Sequence, residues 1–239
     1  FEYFYEQYKY LEIPNNGKII IERYREGNTT HLVFHSLYGR KTNDALSFAY
    51  GFALSKIMHK DVEITMNDNG FMLSGDDKMP IEKAITAVNP KDLKKILEMA
   101  VNDTEILSRR FRHCATRALM ILRNYKGRSK SVGRQQMSSR LLLSAVRRIG
   151  NDFVILKEAR REVLEDAMDI NGAQKVVDGI SQGLIKVKYV QSSIPSPFAW
   201  NIAMQGYMDI MKMEDKRAFI KRMHTQIMEK IYEKSEKAK

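Results

Sequence analysis

The chain has 239 residues, of which 44% are apolar and 29% are charged, and its formal net charge is +11. This composition is typical of a globular protein and excludes a disordered polypeptide. No apolar stretch is long enough for a transmembrane helix, and the single cysteine, Cys114, excludes an internal disulfide. We therefore expect a cytoplasmic protein with no membrane partner. Because the first residue is Phe1, we also expect a piece of a longer polypeptide.

Strands are predicted where β-branched and aromatic residues are concentrated. About five stretches meet this criterion, namely 18–24, 30–37, 61–66, 71–75 and 185–191. The first four form two hairpins, because short polar segments separate the members of each pair and Asn69-Gly70 favours the positive φ angles of a tight turn. The fifth strand is remote in sequence, and we expect it to complete the sheet.

Helices are predicted around these strands, and residues 1–12 are expected to form a short helix or linker. Asn43 or Asp44 is placed to cap the first long helix, and Pro80 and Pro90 stand where later helices begin. Apolar residues recur at helical spacing in 91–101, 104–125, 138–149, 153–168, 172–182, about 198–211 and from 214 to the end. The sequence therefore predicts an α+β fold, with an antiparallel sheet of about five strands and a large helical layer. The pattern leaves open whether the sheet closes into a barrel.

The positive charge is concentrated in residues 109–148, which we call the basic segment. It holds 12 of the 40 Lys and Arg residues and none of the 29 Asp and Glu residues, so the rest of the chain has 28 basic against 29 acidic side chains. Charge concentrated in this way favours a polyanionic partner. Nucleic acid is favoured over a membrane surface, because the apolar stripe of the predicted helix is used by the core.

Within the basic segment, a helical projection of 104–125 separates apolar from basic side chains. The apolar stripe consists of Leu107, Phe111, Cys114, Ala118, Ile121, Leu122 and Tyr125. The opposite face carries Arg109, Arg112, His113 and Arg123, while Arg110 and Arg117 flank the stripe. Residues 126–136 lack periodicity and predict a mobile loop rich in hydrogen-bond donors to phosphate. The alternative is a solvated face, or pairing of these arginines with the acidic helix 158–169.

Catalytic and metal-binding motifs are not found. Gly127 and Gly133 do not have the spacing of a phosphate-binding Walker A loop, and there is no DExH box. His31 and His35 lie on one face of a strand, but no set of four zinc ligands can be assembled around them. Trp200 could stack on a base, although a lone tryptophan more often packs a helix onto its sheet. A nuclease or glycosylase-like enzyme is therefore disfavoured, and we expect no enzymatic activity and no cofactor in this piece.

Six ordered stretches carry a resemblance to a known family. They are VFHSLYGRKTNDALSFAYGFAL (33–54), NDNGFMLS (67–74), RRFRHCATRALMILRNYKGRSKSVGRQQ (109–136), FVILKEARREVLEDAMD (153–169), IPSPFAWNIAMQGY (194–207) and MEDKRAFIKRMHTQIMEKI (213–231). Together they resemble the C-terminal DEAD/H-associated region of the archaeal large helicase-related (Lhr-type) helicases of superfamily 2. The resemblance covers the chain from about residue 3 to 232.

This resemblance implies an organisation and a partner. Residues 1–12 would be the linker from a preceding winged helix, and 13–239 the DEAD/H-associated domain of an ATP-dependent 3′ to 5′ helicase associated with DNA repair or recombination. ATP and Mg would bind the motor domains of the parent polypeptide. For contact with DNA or RNA, the matched motif implies Arg109, Arg110, Arg112, Arg123, Lys126, Arg128, Lys130 and Arg134, with Arg40 and Lys41 as second candidates. The rival interpretation is a scaffold module that docks on the motor domains or a repair partner.

Overall fold

The computed structural model describes residues 1–76, 78–150, 152–207, 221, 224–225 and 227–229. Its seven strands are β1 (Lys18–Glu26), β2 (Thr29–His35), β3 (Glu63–Asn67), β4 (Gly70–Gly75), β5 (Asn124–Tyr125), β6 (Arg128–Ser129) and β7 (Lys186–Gln191). The α-helices are α1 (Glu2–Tyr10), α2 (Arg40–Met58), α3 (Ile81–Ala87), α4 (Leu93–Val101), α5 (Glu105–Arg117), α6 (Val132–Ile149), α7 (Val154–Arg161), α8 (Ile170–Ser181) and α9 (Pro197–Tyr207). A π-helical segment, Glu162–Ala167, continues α7. None of the described helices is long and apolar enough to cross a membrane.

The main sheet has five strands in the order β3-β4-β2-β1-β7. The predicted α+β class, the five strands and both hairpins are confirmed. The expectation of a wholly antiparallel sheet is wrong, because β7 pairs with β1 in parallel, Lys18 opposite Lys186. The chain returns to β1 through a long series of helices, and such a crossover permits a parallel strand. Strands β3 and β7 form two separate edges, so the sheet is open and is not a barrel.

Side chains alternate between two cores on the faces of the sheet, as strand geometry requires. One face carries Ile21, Leu32 and Leu73 into the large core, which also contains α2 and the helices of the basic segment. The other face carries Val33 and Met72 against α9, which is covered in turn by α1. In the contact between α1 and α9, the ring centroids of Tyr3 and Phe198 lie 4.9 Å apart. The aromatic N-terminus is therefore a helix that packs on the fold.

Helix α2 begins earlier than predicted. Its N-cap is Gly39, with φ of 84°, and neither Asn43 nor Asp44 is the cap. Asn43 is instead fully buried, and its side-chain amide donates to the carbonyl oxygens of Ser36 (2.9 Å) and Asn67 (3.3 Å). A buried amide must find such partners. Asn43 thus joins the start of α2 to the end of β2 and to the β3–β4 turn.

Other helix starts also differ from the prediction. Pro80 is the N-cap of α3, whereas α4 begins beyond Pro90 with Asp92 as its N-cap. The helix predicted for 138–149 begins six residues earlier, at Val132, with Ser131 as its N-cap. The segment predicted as 198–211 is α9, and residues 208–211 lie outside the described part. Most of the amphipathic helix predicted from 214 onward also lies outside the described residues.

Candidate nucleic-acid interface

The basic segment is anchored to the large core by α5. Leu107, Phe111 and Cys114 are buried along one side of this helix, as the projection predicted. Thr104 caps the helix, since its side chain accepts a hydrogen bond from the N–H of Leu107 at 3.3 Å. The helix packs against α6 and α7, whose buried residues belong to the same core. The opposite side of α5 is thereby held at the surface.

Helix α5 is shorter than predicted, so the residues after Arg117 do not continue its apolar stripe. It ends at Arg117, and Leu119 follows in the left-handed region with φ of 58°. The N–H groups of Met120 and Ile121 both donate to the carbonyl oxygen of Ala115, which closes the last turn. Ile121 still reaches the core, but Ala118 and Leu122, which the projection placed in the apolar stripe, are exposed.

A hairpin and the start of α6 replace the predicted mobile loop. Asn124 pairs with Ser129, and Tyr125 pairs with Arg128, around the two-residue turn Lys126-Gly127. Both turn residues have positive φ, 48° at Lys126 and 73° at Gly127, as the common tight hairpin turn requires. The prediction was wrong because this short hairpin has no apolar alternation, which is the usual sequence signal of a strand.

Two hydrogen bonds fix the positions of some of the predicted contact residues of the basic segment. The N–H of Lys130 donates to the carbonyl oxygen of Arg123 at 2.8 Å, which ties the two ends of the hairpin. The Gln135 side chain donates to the carbonyl oxygen of Lys130 at 2.9 Å and links the hairpin to α6. Exposed side chains are those of Arg109, Arg123, Lys126, Arg128 and Arg134, and half-buried ones are those of Arg110, Arg112 and Lys130.

Two arginines of α5 are partly neutralised by one buried acid. Glu162, in the π-helical segment, is 5% exposed, and its carboxylate accepts a hydrogen bond from the Arg117 guanidinium. The Arg110 guanidinium lies 3.9 Å from the same carboxylate. This hydrogen bond raises the pKa of Arg117, so the side chain keeps its charge. The alternative of pairing with the acidic helix 158–169 is therefore confirmed for Arg110 and Arg117.

The other cations of the basic segment differ in whether they have an acidic partner. Arg147 pairs with Asp103 at 3.2 Å and also donates to the carbonyl oxygen of Asn102. In the described part of the chain, no carboxylate pairs with Arg109, Arg112, Arg123, Arg128, Lys130, Arg134, Arg140 or Arg148. Their positive charge is therefore available to an external anion.

Burial, more than any one neighbouring charge, shifts the pKa of two titratable groups on α5. The pKa of His113 is lowered by partial burial and then by Arg112, Arg110 and Arg123, so this imidazole is neutral at physiological pH. Burial likewise raises the pKa of the Cys114 thiol. A neutral thiol is a poor nucleophile. The Cys114 thiol is therefore not activated as a nucleophile.

The second candidates, Arg40 and Lys41, lie on a different element. Both are exposed at the start of α2. The carbonyl oxygen of Lys41 accepts a hydrogen bond from the N–H of Asp169 at 3.1 Å, and the Asp169 side chain caps α8 through the N–H of Gly172 at 2.8 Å. The backbone of Lys41 thus lies beside the N-terminus of α8.

His31 and the lone tryptophan occupy packing positions. The described residues contain no group of three or more His, Cys, Asp or Glu side chains placed to hold a metal ion. His31 is buried and bonds to Ser74 through Nδ1 at 2.9 Å. Trp200 is half-buried in α9, and its indole Nε1 is buried. This position fits packing better than stacking on a base.

Sequence reasoning missed one buried cluster, centred on Glu22. This strand residue is fully buried, and its carboxylate accepts hydrogen bonds from the Ser192 hydroxyl (2.8 Å), the Ser196 N–H (2.7 Å) and the Ser196 hydroxyl (2.6 Å). His35 Nε2 lies 3.0 Å from it. The available signal was an acid placed directly after the three consecutive isoleucines of β1, Ile19, Ile20 and Ile21. The cluster holds the segment that leads from β7 into α9.

Comparison with known proteins identifies the family. A family model described as DEAD/H associated matches residues 13–199. The ATP-dependent helicase Lhr-Core of Methanothermobacter thermautotrophicus is 47% identical over 97% of this chain, and that of Saccharolobus solfataricus is 39% identical over 98%. These alignments cover 27% and 28% of the two relatives, so the chain spans about a quarter of their length.

A solved structure shares the fold. It is the Mycobacterium smegmatis helicase Lhr bound to ssDNA and AMP-PNP, which is 26% identical to this chain with a TM-score of 0.74. The match covers 84% of this chain and 26% of that one. The resemblance drawn from the six motifs is thereby confirmed. The chain belongs to the DEAD/H associated family and corresponds to part of an Lhr-type helicase.

Proposed function

We propose that this chain is a non-catalytic accessory domain of a longer ATP-dependent helicase, and that it binds single-stranded or forked nucleic acid through the basic segment. The observation that carries the proposal is the set of surface cations without an acidic partner among the described residues. They lie on α5, on the hairpin and at the start of α6. Hydrogen bonds close the hairpin and link it to α6, and α5 packs against α6. The ssDNA bound to the Mycobacterium smegmatis relative supports nucleic acid as the partner.

The chemistry of the segment suits a phosphate backbone. An arginine guanidinium donates two parallel hydrogen bonds to one phosphate, while the flexible Lys126 and Lys130 add point charges. Such contacts position the strand without reading its sequence. Arg110 would contribute less than its neighbours, because Glu162 already neutralises part of its charge. Arg40 and Lys41 would contact a nucleic-acid strand that continues past α8.

The ATP-dependent helicase activity would belong to the parts of the parent protein outside this chain. ATP and Mg would bind its motor domains, and residues 1–12 would follow a winged helix before the domain at 13–239. We place the parent in the cytoplasm, in DNA repair or recombination. The role of this domain is then to hold the strand while the motor domains translocate. The length of the relatives, about four times that of this chain, supports such a division.

Fluorescence anisotropy tests the proposal. Labelled single-stranded and forked oligonucleotides would be titrated with the 239-residue chain at low salt. The test variant carries Arg128→Ala, Lys130→Ala and Arg134→Ala. The matched control carries Lys83→Ala, Lys91→Ala and Lys95→Ala, which removes the same charge from exposed positions outside the basic segment. We expect the test variant to bind at least about tenfold more weakly and the control to bind nearly as wild type.

A scaffold function is the second candidate, and one observation favours it. Helix α1 exposes a series of aromatic side chains, Phe4 (56%), Tyr5 (59%) and Tyr8 (70%) among them. Exposed aromatic side chains on one helix are typical of a protein-docking surface. Competition distinguishes the two functions. If excess oligonucleotide displaces purified motor domains from this chain, the basic segment serves both partners; if it does not, α1 docks protein independently of nucleic acid.

A further inference from the structure

Strand β7 forms one edge of the main sheet, and its outer side is open. The N–H of Lys186 donates to the carbonyl oxygen of Gly17, and the N–H of Ser192 donates to that of Arg23, each at 2.9 Å. Because backbone groups alternate along a parallel strand, the even-numbered residues face β1. The N–H and C=O groups of Val187, Tyr189 and Gln191 therefore point away from the sheet. Within the described residues, no strand pairs with them.

A cavity with one apolar wall lies beside this edge. It has a volume of about 240 Å³. Its apolar wall is formed by Ile21, Leu32, Ile81, Tyr189 and Val190, and its polar lining consists of Arg23, Glu82 and Gln191. Tyr189 stands opposite Ile21 in the β1–β7 ladder, so both side chains are on the face that carries the large core. An added strand would place every second side chain on that face. The cavity has room for an aliphatic side chain from such a strand.

The opposite face of β7 is positively charged. Lys186 and Lys188 are exposed there, and Lys188 donates to the Glu12 carboxylate at 2.7 Å. Edge lysines oppose pairing between identical copies, since they would bring like charges together on one face. The same lysines attract an acidic segment. Charge therefore selects against a second copy of this chain and in favour of a partner with acidic residues.

We propose that the outer edge of β7 binds an extended polypeptide segment in which apolar and acidic residues alternate. Its backbone would pair with Val187, Tyr189 and Gln191 and extend the sheet by one strand. Its apolar side chains would enter the cavity beside Tyr189, and its acidic side chains would face Lys186 and Lys188. Strand addition of this kind takes its affinity from backbone hydrogen bonds and its specificity from alternate side chains. The site is distinct from the basic segment and binds protein.

Amide hydrogen exchange measured by NMR tests the proposal on the intact chain. The probe is a capped synthetic peptide of about eight residues, a common strand length, with alternating valine and glutamate. We expect the peptide to slow exchange at Val187, Tyr189 and Gln191 by about tenfold or more, while Lys186, Lys188 and Val190, already bonded to β1, change little. A peptide with lysine in place of glutamate should bind more weakly.

Two further measurements separate strand addition from loose electrostatic attraction. N-methylation of alternate peptide residues removes the pairing donors without altering the protein, and it should abolish the protection. Lys186→Glu should weaken binding of the glutamate peptide by about threefold or more and strengthen binding of the lysine peptide. The proposal is overturned if neither peptide binds, if the N-methylated peptide binds equally, or if protection does not follow the odd-numbered residues.

Discussion

The carboxylate of Glu162 accepts a hydrogen bond from Arg117, although their side chains are 6% and 62% exposed. A buried acid thus holds one edge of the guanidinium while the other edge stays in water. Arg110, two helical turns away on the same side, approaches the same acid. The π-helical segment therefore fixes the orientation of α5 and reduces the charge on one side of it. The cations beyond this contact carry the positive field of the surface.

The first prediction concerns this contact. Glu162→Gln should lower the thermal midpoint by roughly 2–4 °C, because the amide replaces a carboxylate that binds two guanidinium groups. Arg117→Met should lower it by less, and the double variant should show that the two effects are not additive. Differential scanning calorimetry measures all three. The control is Arg112→Met, which removes a cation without an acidic partner in the described part of the chain; an equal loss there would contradict the assignment.

The second prediction concerns the hairpin turn. Gly127→Val should destabilise the hairpin by about 1 kcal/mol or more, because a β-branched residue is strained at positive φ. The amide of Lys130, bonded to the carbonyl oxygen of Arg123, should then exchange faster. Gly133→Ala is the control: its φ is not in the positive region and a Cβ there meets open space, so it should leave this amide unchanged. Unchanged exchange in Gly127→Val would mean that the turn does not hold the hairpin.

The third prediction concerns the buried acid beneath α9. Glu22→Gln should cost about 2–4 kcal/mol, because the amide nitrogen cannot accept the bonds that Ser192 and Ser196 donate. The fluorescence of Trp200, the sole tryptophan, reports on α9 directly during urea unfolding. Glu12→Gln, at an exposed ion pair, serves as the control and should have a much smaller effect. Equal unfolding midpoints for the two variants would refute this role.

The fourth prediction is a pH dependence at Asp44. Burial raises the pKa of this carboxyl to about 6 from an ordinary 3.8, and the opposing effect of Arg40 is smaller. The folded state therefore favours the protonated form, so the cost of ionisation is absent below about pH 4 and complete above about pH 6. Asp44→Asn should stabilise the protein by about 1–2 kcal/mol at pH 7.5, after allowance for solvent screening, and by little at pH 4. Thermal unfolding at the two pH values measures the difference.

Most helices and strands were predictable because the pattern that indicates each one lies within a short stretch of sequence. The β3–β4 hairpin was predicted from Asn69-Gly70 between apolar runs, and α5 from its apolar stripe. The hairpin is present, but its turn is Asp68-Asn69, Gly70 begins β4, and neither Asn69 nor Gly70 has the positive φ that the prediction assumed. The parallel pairing of β7 with β1 joins segments more than 150 residues apart, and no local pattern encodes it. The β5–β6 hairpin was missed because its strands are short and polar and lack apolar alternation.

The residues of the candidate site were predictable from the sequence, but which of its arginines pair with an acid was not. The excess of arginine is visible in the sequence, and pairing with 158–169 was recognised as an alternative. Which arginines pair depends on the π-helical segment, whose extra residue per turn changes the direction of Glu162. The role of Glu22 was not predictable from the sequence, for a similar reason. Its partners Ser192 and Ser196 lie 170 residues or more away in sequence.

The salt dependence of binding to a single-stranded oligonucleotide tests the central claim most directly. For single strands, the slope of log K against log salt concentration changes by about 0.7 for each phosphate neutralised. If Arg128, Lys130 and Arg134 each neutralise one phosphate, the triple alanine variant should have a slope shallower than wild type by about 2. The Lys83, Lys91 and Lys95 control should keep the wild-type slope. Equal slopes for wild type and the triple alanine variant, or no binding by wild type at low salt, would contradict a nucleic-acid interface in the basic segment.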